Sequence, residues 1–343
     1  MHLPILCSFS LLAATTVAYD DLLHFNASPQ VETRSIDQIY KAALKEGGVV
    51  TAWMGGDEKN QQDAVKAAFE KAFPGMKLNL TVDLSKYHDG NIDEQLANGK
   101  VYVDTLGLQT LQDFPRWKEE GALLKYAPLG FDKIFPDFRD IDAAYYGFLE
   151  YPDFLRPEFK EKLVLTYPND DDAILFAFEL ILKKYGTSWF NKLLHQKPRW
   201  VRGSATGPDL VADPNTTYVA TFTSGLGLSK PQGPLNATFP KQGQFVSWPQ
   251  TAAILKDAPH PEGAKLFLNF LLSKNFQKQS GFWSVRSDVP APVGYPKFIE
   301  MPGTNPSAFS KFMGDRTRVE RLRFWFEKRL GTPQGLSPLD DDL

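Results

Sequence analysis

The side chains of this sequence that could do chemistry are carboxylates, amides and phenols near short loops. Reactive sulfur is confined to one residue, Cys7, which lies in an N-terminal apolar run. No cysteine nucleophile, disulfide or thiolate metal site is therefore expected in the rest of the chain. The serine-nucleophile pattern G-x-S-x-G and the zinc-protease pattern H-E-x-x-H do not occur either. The residue types thus favour binding over catalysis, and we expect no enzyme.

A cluster of amide and acidic residues follows the short apolar run Leu163–Tyr167 and spans residues 169–172. It opens a well-defined helical pattern, Ala173–Tyr185, which Gly186 ends. Acidic residues at a helix start are explained by capping and by the helix dipole. The same oxygens could also hold a cation. Both interpretations stay open at this stage.

The elements that must position such groups are clearest near residue 50. Val49–Trp53 is an apolar run typical of a buried strand, and a glycine turn ends it. A helical pattern and a second strand at residues 77–82 complete a βαβ unit, the seed of an α/β sheet. Ligands bind such sheets beyond the carboxyl ends of the strands. Gly55, Gly56 and Asp57 are therefore candidate contacts.

A third strand is predicted at Val101–Leu108, with Asp104 inside an otherwise apolar run. A carboxylate there is either a buried acceptor that fixes a neighbouring loop or a ligand contact. Gln109 and Thr110 follow directly. They stand at another strand end and are also candidates.

The N-terminus and the overall charge bear on where the protein acts. Residues 1–18 have the apolar run and small residues of a secretory signal. The net charge of −3 argues against nucleic-acid binding. We expect a secreted, extracellular protein of more than one domain. Four N-x-S/T sequons predict glycosylation, at Asn26, Asn79, Asn215 and Asn236.

Several blocks of the sequence resemble one family. AALKEGGVVTAWMGGDEKNQQDAVKAAFEKAFPGMKLNLTV resembles the opening of extracellular solute-binding proteins with the type II periplasmic-binding fold. VDTLGLQTLQDFPRWKEEGALLKYAP, RPEFKEKLVLTYPNDDDA and ILKDAPHPEGAKLFLNFLLSKNFQ resemble later parts. The similarity spans about Ile36 to Val285 and is to the ferric-iron, polyamine or thiamine receptors of ABC importers. With the signal and sequons, our interpretation is a eukaryotic, fungal secreted form.

The resemblance implies an α/β chain of two lobes, a periplasmic-binding-protein-like type II fold with an interlobe cleft. The first lobe would comprise residues 33–145 and the second residues 146–243. Residues 244–330 would return to the first lobe and add C-terminal helices, and residues 331–343 would form a tail. The implied ligand contacts lie at strand and helix ends: Gly55, Gly56, Asp57, Gln109, Thr110, Tyr146, Asn169, Asp170, Asp171, Gly203, Ser204 and Thr206.

The family also suggests the ligand. Iron receptors of this fold use tyrosinates with a histidine or carboxylate, which makes Tyr145 and Tyr146, with Tyr87 and His88 in a loop of the first lobe, candidate metal ligands. Aromatic packing is the alternative for these residues. The expected solute is ferric iron, an organic cation or a small acid. We expect a monomer without a resident cofactor, and leave a membrane permease partner unassigned.

Two alternatives to a solute receptor stay open. The segment between Tyr146 and Arg156 is shorter than the crossing segment usual in the family. A structural or interaction protein on a degenerate solute-binding fold would tolerate that change. The other alternative is an unrecognised hydrolase or transferase, since carboxylate pairs can be hidden in a cleft. A thiaminase-like transferase would need a cysteine nucleophile, and Cys7 is lost with the signal.

Overall fold

The computed structural model of the chain describes residues 30–138, 151–223, 235, 239–240, 243–280 and 283–340. The predicted signal, the Tyr145-Tyr146 pair and the sequons at Asn26 and Asn236 lie outside these residues. Among the described residues, no helix is long and apolar enough to cross a membrane. The other two sequon residues, Asn79 and Asn215, are both exposed, and their glycosylation stays a prediction.

Helices and strands alternate along most of the chain. The strands are β1 (Gln30–Val31), β2 (Val49–Gly55), β3 (Lys77–Asp83), β4 (Thr105–Leu108), β5 (Tyr126–Ala127), β6 (Val164–Thr166), β7 (Arg199–Val201) and β8 (Thr251–Ile254). The helices are α1 (Ile36–Glu46), α2 (Asp63–Ala72), α3 (Ser85–Ala97), α4 (Asp113–Glu119), α5 (Asp172–His195), α6 (Thr206–Ala212), α7 (Pro261–Leu272), α8 (Lys274–Gln279), α9 (Ala308–Gly314) and α10 (Arg316–Leu330).

The first lobe is built on a four-stranded sheet in the order β3-β2-β4-β8. β2 pairs in parallel with β3 and with β4, as expected for the βαβ unit predicted around residue 50. β8 pairs antiparallel with β4 and comes from a distant part of the chain. The carboxyl ends of β2, β3 and β4 therefore face the same edge of the sheet.

The carboxylate of Asp104 fixes the loop in front of α7. It is fully buried. It accepts hydrogen bonds from the amide of Thr51 at 2.7 Å and the amide of His260 at 2.6 Å, and lies 3.2 Å from Nδ1 of that histidine. The prediction that Asp104 holds down a neighbouring loop is confirmed, since these contacts lie within the first lobe.

The second lobe has a small parallel sheet of β6 and β7 over a strongly aromatic core. α5 supplies much of this core. It is interrupted at Gly186, whose φ of 72° is not helical, as the sequence predicted. α9 and α10 pack on the same core through Phe309, Phe312 and Phe326. The last two helices are therefore held by the second lobe.

The prediction that Tyr87 and His88 lie in a loop is wrong. Both are in α3, whose first turn begins directly after β3. The buried face of α3 consists of His88, Ile92 and Gln95. Because two of these three are polar, the helix lacks the apolar periodicity by which sequence patterns reveal helices.

A close contact between α7 and β2 gives a first testable prediction. A Cβ atom on Gly263 would lie 2.6 Å from the carbonyl oxygen of Val49 and 3.1 Å from Cβ of Val50. We expect Gly263→Ala to lower the free energy of unfolding by about 1–3 kcal/mol, because the helix must move away from the sheet. Urea denaturation measures this change.

Gly314 supplies the matched control. It ends α9, and a Cβ there would meet nothing within 4 Å. Gly314→Ala should leave stability unchanged or raise it by about 0.4–1 kcal/mol. Equal stability of the two alanine variants would contradict the tight packing of α7 on β2.

Candidate functional site

The loops at the strand ends of the two lobes meet directly. Asp57, which follows β2, accepts two hydrogen bonds from Ser204, which follows β7. The amide nitrogen and Oγ of Ser204 both lie 2.7 Å from Oδ2 of Asp57. Two residues that the sequence placed on separate lobes are thus bonded to each other across the cleft.

A second group of contacts across the cleft centres on Asp170. Lys86 in α3 reaches across, with Nζ 2.5 Å from Oδ1 and 2.9 Å from the carbonyl oxygen of Asp170. Arg202 approaches from the second lobe, with Nε 2.8 Å from Oδ2. Burial alone would raise the pKa of Asp170, but hydrogen bonds from Arg202 and Lys86 outweigh it and hold the pKa below its usual value. Asp170 is therefore ionised, and the positive charges of Lys86 and Arg202 balance its negative charge.

Sequence analysis missed both cations of this group. Arg202 directly precedes the predicted Gly203-Ser204 turn, and Lys86 lies beside the predicted Tyr87. A search for every charged residue within two positions of a strand end would have found Arg202. Lys86 was missed because it lies in the first turn of α3, a stretch that the sequence pattern predicted to be a loop.

Asp171 is the most unusual carboxyl group of the cleft. Its side chain caps α5 by accepting a hydrogen bond from the amide of Ile174 at 2.8 Å. Nε2 of Gln109, from the first lobe, lies 3.5 Å from the same oxygen. Burial, followed by the negative charge of Asp57, raises the pKa of Asp171 from its ordinary 3.8 to about 7.

The raised pKa makes the stability of the folded chain sensitive to pH. The folded chain retains a proton on Asp171 in a range where an exposed carboxyl group is ionised. The contribution of Asp171 to the free energy of unfolding is therefore complete below about pH 4 and is lost as the pH rises towards 7. Among the described residues, no lysine or arginine forms an ion pair with Asp57 or Asp171. A proton or a bound cation would relieve this pair of carboxylates.

The remaining candidates of the first lobe line the same strand ends. Gly55 packs closely on Ser85, since a Cβ atom on Gly55 would lie 2.1 Å from Oγ of Ser85. The amide of Gln109 donates to that Oγ at 2.9 Å. Gly56 donates its amide to the carbonyl of Asp83, which ends β3. Thr110 is 2% exposed, and its Oγ1 has no hydrogen-bond partner among the described residues.

Three candidates of the second lobe have other contacts. Thr206 is buried, and its Oγ1 donates to the carbonyl of Arg202 at 2.9 Å, which fixes the turn before α6. Asn169 and Gly203 contact the segment that follows α10, rather than the first lobe. The structure thus brings Asp57, Gln109, Asp170, Asp171 and Ser204 together and leaves these three at the edge of the group.

Of the predicted metal donors, His88 lies in the core of the first lobe and Tyr87 lies at the cleft. His88 is 2% exposed and stacks on Trp53, with ring centroids 4.7 Å apart. Burial lowers its pKa, so the imidazole is neutral. The hydroxyl of Tyr87 instead accepts a hydrogen bond from Nη2 of Arg202 at 3.2 Å. Among the described residues, no group of three His, Cys, Asp or Glu side chains could hold a metal ion; Tyr145 and Tyr146 lie outside them.

A groove of about 440 Å³ lies elsewhere, between two helices of the second lobe. α5 and α10 line it, with Leu182, Leu322 and Trp325 among its residues. None of the predicted ligand contacts lines this groove. We place the candidate site at the interlobe contacts, because there the strand ends of both sheets converge.

Comparison with known sequences gives one family match. Residues 50–279, more than half of the chain, match the profile of the family described as Bacterial extracellular solute-binding protein. None of the curated proteins matches the sequence.

Solved structures are similar over most of the chain. Iron-bound HitA from Pseudomonas aeruginosa has a TM-score of 0.60 at 19% identity, over 81% of this chain and 99% of that chain. AfuA from Actinobacillus pleuropneumoniae, with fructose-6-phosphate bound, has a TM-score of 0.62 at 17% identity, over 82% and 98%. The spermidine/putrescine substrate-binding protein PotD from Streptococcus pneumoniae has a TM-score of 0.52 at 12% identity, over 81% and 100%.

At these identities the likeness establishes the fold alone. The fold is α/β and two-lobed, of the type II periplasmic-binding class, and the predicted fold class is confirmed. The descriptions of these three structures name different solutes: iron, fructose-6-phosphate, and spermidine or putrescine. The solute of this chain must therefore be argued from its own residues.

Proposed function

The chain belongs to the bacterial extracellular solute-binding protein family, and on that premise we propose that it captures a small solute between its lobes without transforming it. The family resemblance found in the sequence is confirmed. One observation carries the proposal. Asp57 and Gln109 of the first lobe are within hydrogen-bond reach of Ser204 and Asp171 of the second. Ligands of open α/β sheets bind at such strand ends.

The solute is a small organic cation. Asp57 and Asp171 form a pair of carboxylates without an ion-pair partner among the described residues, and Asp171 retains its proton up to about pH 7. A protonated amine would take the place of that proton, and its positive charge would favour the ionised form of both carboxylates. Lys86 and Arg202 do not offer an equal site for an anion, because Asp170 already occupies both.

Ferric iron is the second candidate that the family suggests. Phenolate and carboxylate oxygens are suitable donors for it, and Tyr87 and Asp170 both contact Arg202 at the cleft. We favour the organic cation, because the side chain of His88 lies in the core of the first lobe. A secreted monomer and a role in supplying an importer belong to the same proposal.

A thermal-shift panel on the secreted protein tests the function. Spermidine, putrescine, thiamine, ferric citrate and fructose 6-phosphate should each be added at rising concentration. At 100 times its dissociation constant, a solute that binds only the folded protein stabilises it by about 2.7 kcal/mol. We expect an amine to give the largest shift, with one solute bound per chain by calorimetry.

The outcomes separate the alternatives. A shift with ferric citrate alone would favour iron, and one with the sugar phosphate alone would overturn the cation proposal. No shift with any compound would favour the degenerate-fold alternative. Chemical conversion of a bound compound would overturn the non-catalytic proposal, so each mixture should also be checked by mass spectrometry.

A further inference from the structure

The helix α10 concentrates positive charge on the surface of the second lobe. Its 15 residues include six arginines and lysines but only two glutamates. The whole chain has a net charge of −3, so a helix of +4 leaves −7 for all other residues. A basic helix on an otherwise acidic protein attracts a partner of opposite charge to that one place.

Half of these six cations are already paired within the second lobe. Arg316, Arg318 and Arg323 form ion pairs with carboxylates of α5 or of α10 itself. Among the described residues, no carboxylate pairs with the other three, which are Arg321, Lys328 and Arg329. All three are exposed. Their charges are therefore available to an anion from outside the chain.

Aromatic side chains lie among these three cations. Phe324 is 57% exposed, and Nζ of Lys328 lies 4.3 Å from the centre of its ring. The guanidinium carbon of Arg329 lies 3.6 Å from the centre of the Trp325 ring. Arg321, Phe324 and Lys328 follow the three- and four-residue spacing of a single helix face. Arginine and aromatic side chains together are typical of the residues that dominate binding at protein interfaces.

The groove of about 440 Å³ between α5 and α10 adjoins this face. Arg321 and Trp325 belong to both, and the groove is also lined by the apolar side chains of Leu182 and Leu322. Its volume is within the range of sites that bury a ligand or an anchoring side chain. The groove thus offers apolar contacts directly beside an unpaired positive charge.

The two carboxylates of the groove are bound within the second lobe. Glu179 pairs with Arg318, and its Oε2 lies 3.4 Å from Nζ of Lys183. Asp315 accepts a hydrogen bond from the amide of Arg318 at 3.1 Å and so caps α10. The groove therefore presents the positive charge of Arg321 to a partner.

We propose that α10 and the adjoining groove dock an acidic segment of a partner protein. Its carboxylates pair with Arg321, Lys328 and Arg329, and one of its apolar side chains enters the groove. Arginine clusters recognise acidic motifs in this way, and apolar grooves hold anchoring side chains. An anionic bilayer fits less well, because it is too flat to fill the groove and would repel the net charge of −7 outside α10.

Fluorescence anisotropy with short labelled peptides tests this docking. The first probe is rich in glutamate and has one central phenylalanine. The second has glycine in place of that phenylalanine, and the third has glutamine in place of each glutamate. We expect the first probe to bind, and the other two to bind about tenfold more weakly or not at all.

Charge reversal on the protein locates the binding site. Arg321→Glu and Lys328→Glu should each weaken binding of the first probe about tenfold. Both residues are exposed and form no ion pair with a described residue, so the variants should fold as the natural chain does. Lys71→Glu is the matched control, because it makes the same change at an exposed position in α2 of the first lobe. It should leave binding of the first probe unchanged.

Four outcomes would overturn the proposal. These are no binding of the first probe, equal affinity for the phenylalanine and glycine probes, equal weakening by Arg321→Glu and Lys71→Glu, and cosedimentation with vesicles of phosphatidylcholine and phosphatidylserine in place of peptide binding. Self-association that Arg321→Glu abolishes, measured by analytical ultracentrifugation, would instead assign the face to a second copy of this chain. The docking site is independent of the proposed function, because the groove shares no residue with the interlobe contacts. Arg321→Glu should therefore leave every solute shift in the thermal panel unchanged.

Discussion

Asp104→Ala should lower the free energy of unfolding by about 3–5 kcal/mol, the largest loss that we expect from a single substitution. The carboxylate is fully buried and accepts the backbone amides of Thr51 and His260. Without it, both donors lose their partner, and each such buried loss costs about 1–3 kcal/mol. Urea denaturation followed by tryptophan fluorescence measures the change.

Two further variants define what the result means. Asp104→Asn keeps the shape and one acceptor oxygen, so its loss should be intermediate. Asp257→Ala removes an exposed carboxylate a few residues before α7 and should change stability by less than about 0.5 kcal/mol. If Asp104→Ala were as stable as Asp257→Ala, the role of Asp104 in holding the His260 loop would be wrong.

Asp171→Asn should weaken the binding of a cationic solute about 100-fold, or about 2.7 kcal/mol. The neutral amide of this variant lacks the negative charge with which Asp171, together with Asp57, would attract an ammonium group. In the natural protein, affinity should rise as the pH rises from about 5 to about 8, because the proton on Asp171 competes with the solute. Asp171→Asn should remove most of that pH dependence. Calorimetry at several pH values measures both effects.

The exposed Asp257 again provides the control, as Asp257→Asn, which should leave affinity and its pH profile unchanged. Asp57→Asn should weaken binding as well, while lowering the pKa of Asp171 by removing the neighbouring negative charge. Unchanged affinity in Asp171→Asn would contradict the assignment of Asp171 to the solute. Stronger binding in that variant would indicate an anionic solute instead.

Much of the first lobe could be predicted because its pattern is local. Val49–Trp53 and the helix and strand that follow it have the periodicities of a βαβ unit, and β2, α2 and β3 form there. The rule that ligand contacts follow strand ends made Asp57 a candidate, and the family resemblance added Ser204. Their direct hydrogen bond could not be predicted, because it depends on how the two lobes close.

Other features escaped prediction for identifiable reasons. α3 turns His88 and Gln95 into the core, so its buried face did not look apolar. Lys86 was missed for the same reason, although it makes a closer interlobe contact than Gln109 does. The contact of Pro338 with Gly203 joins distant parts of the chain, and no local pattern reports such a contact.

The antiparallel strand β8 has a consequence for how the molecule is made. It covers the free edge of β4, yet the ribosome produces it only after residues 151–223, the sheet and the first helices of the second lobe. At about 5–20 residues per second, the edge of β4 stays open for several seconds during synthesis. Open strand edges invite pairing with other chains. The edge of β4 is therefore available for pairing with other chains until translation has passed Ile254.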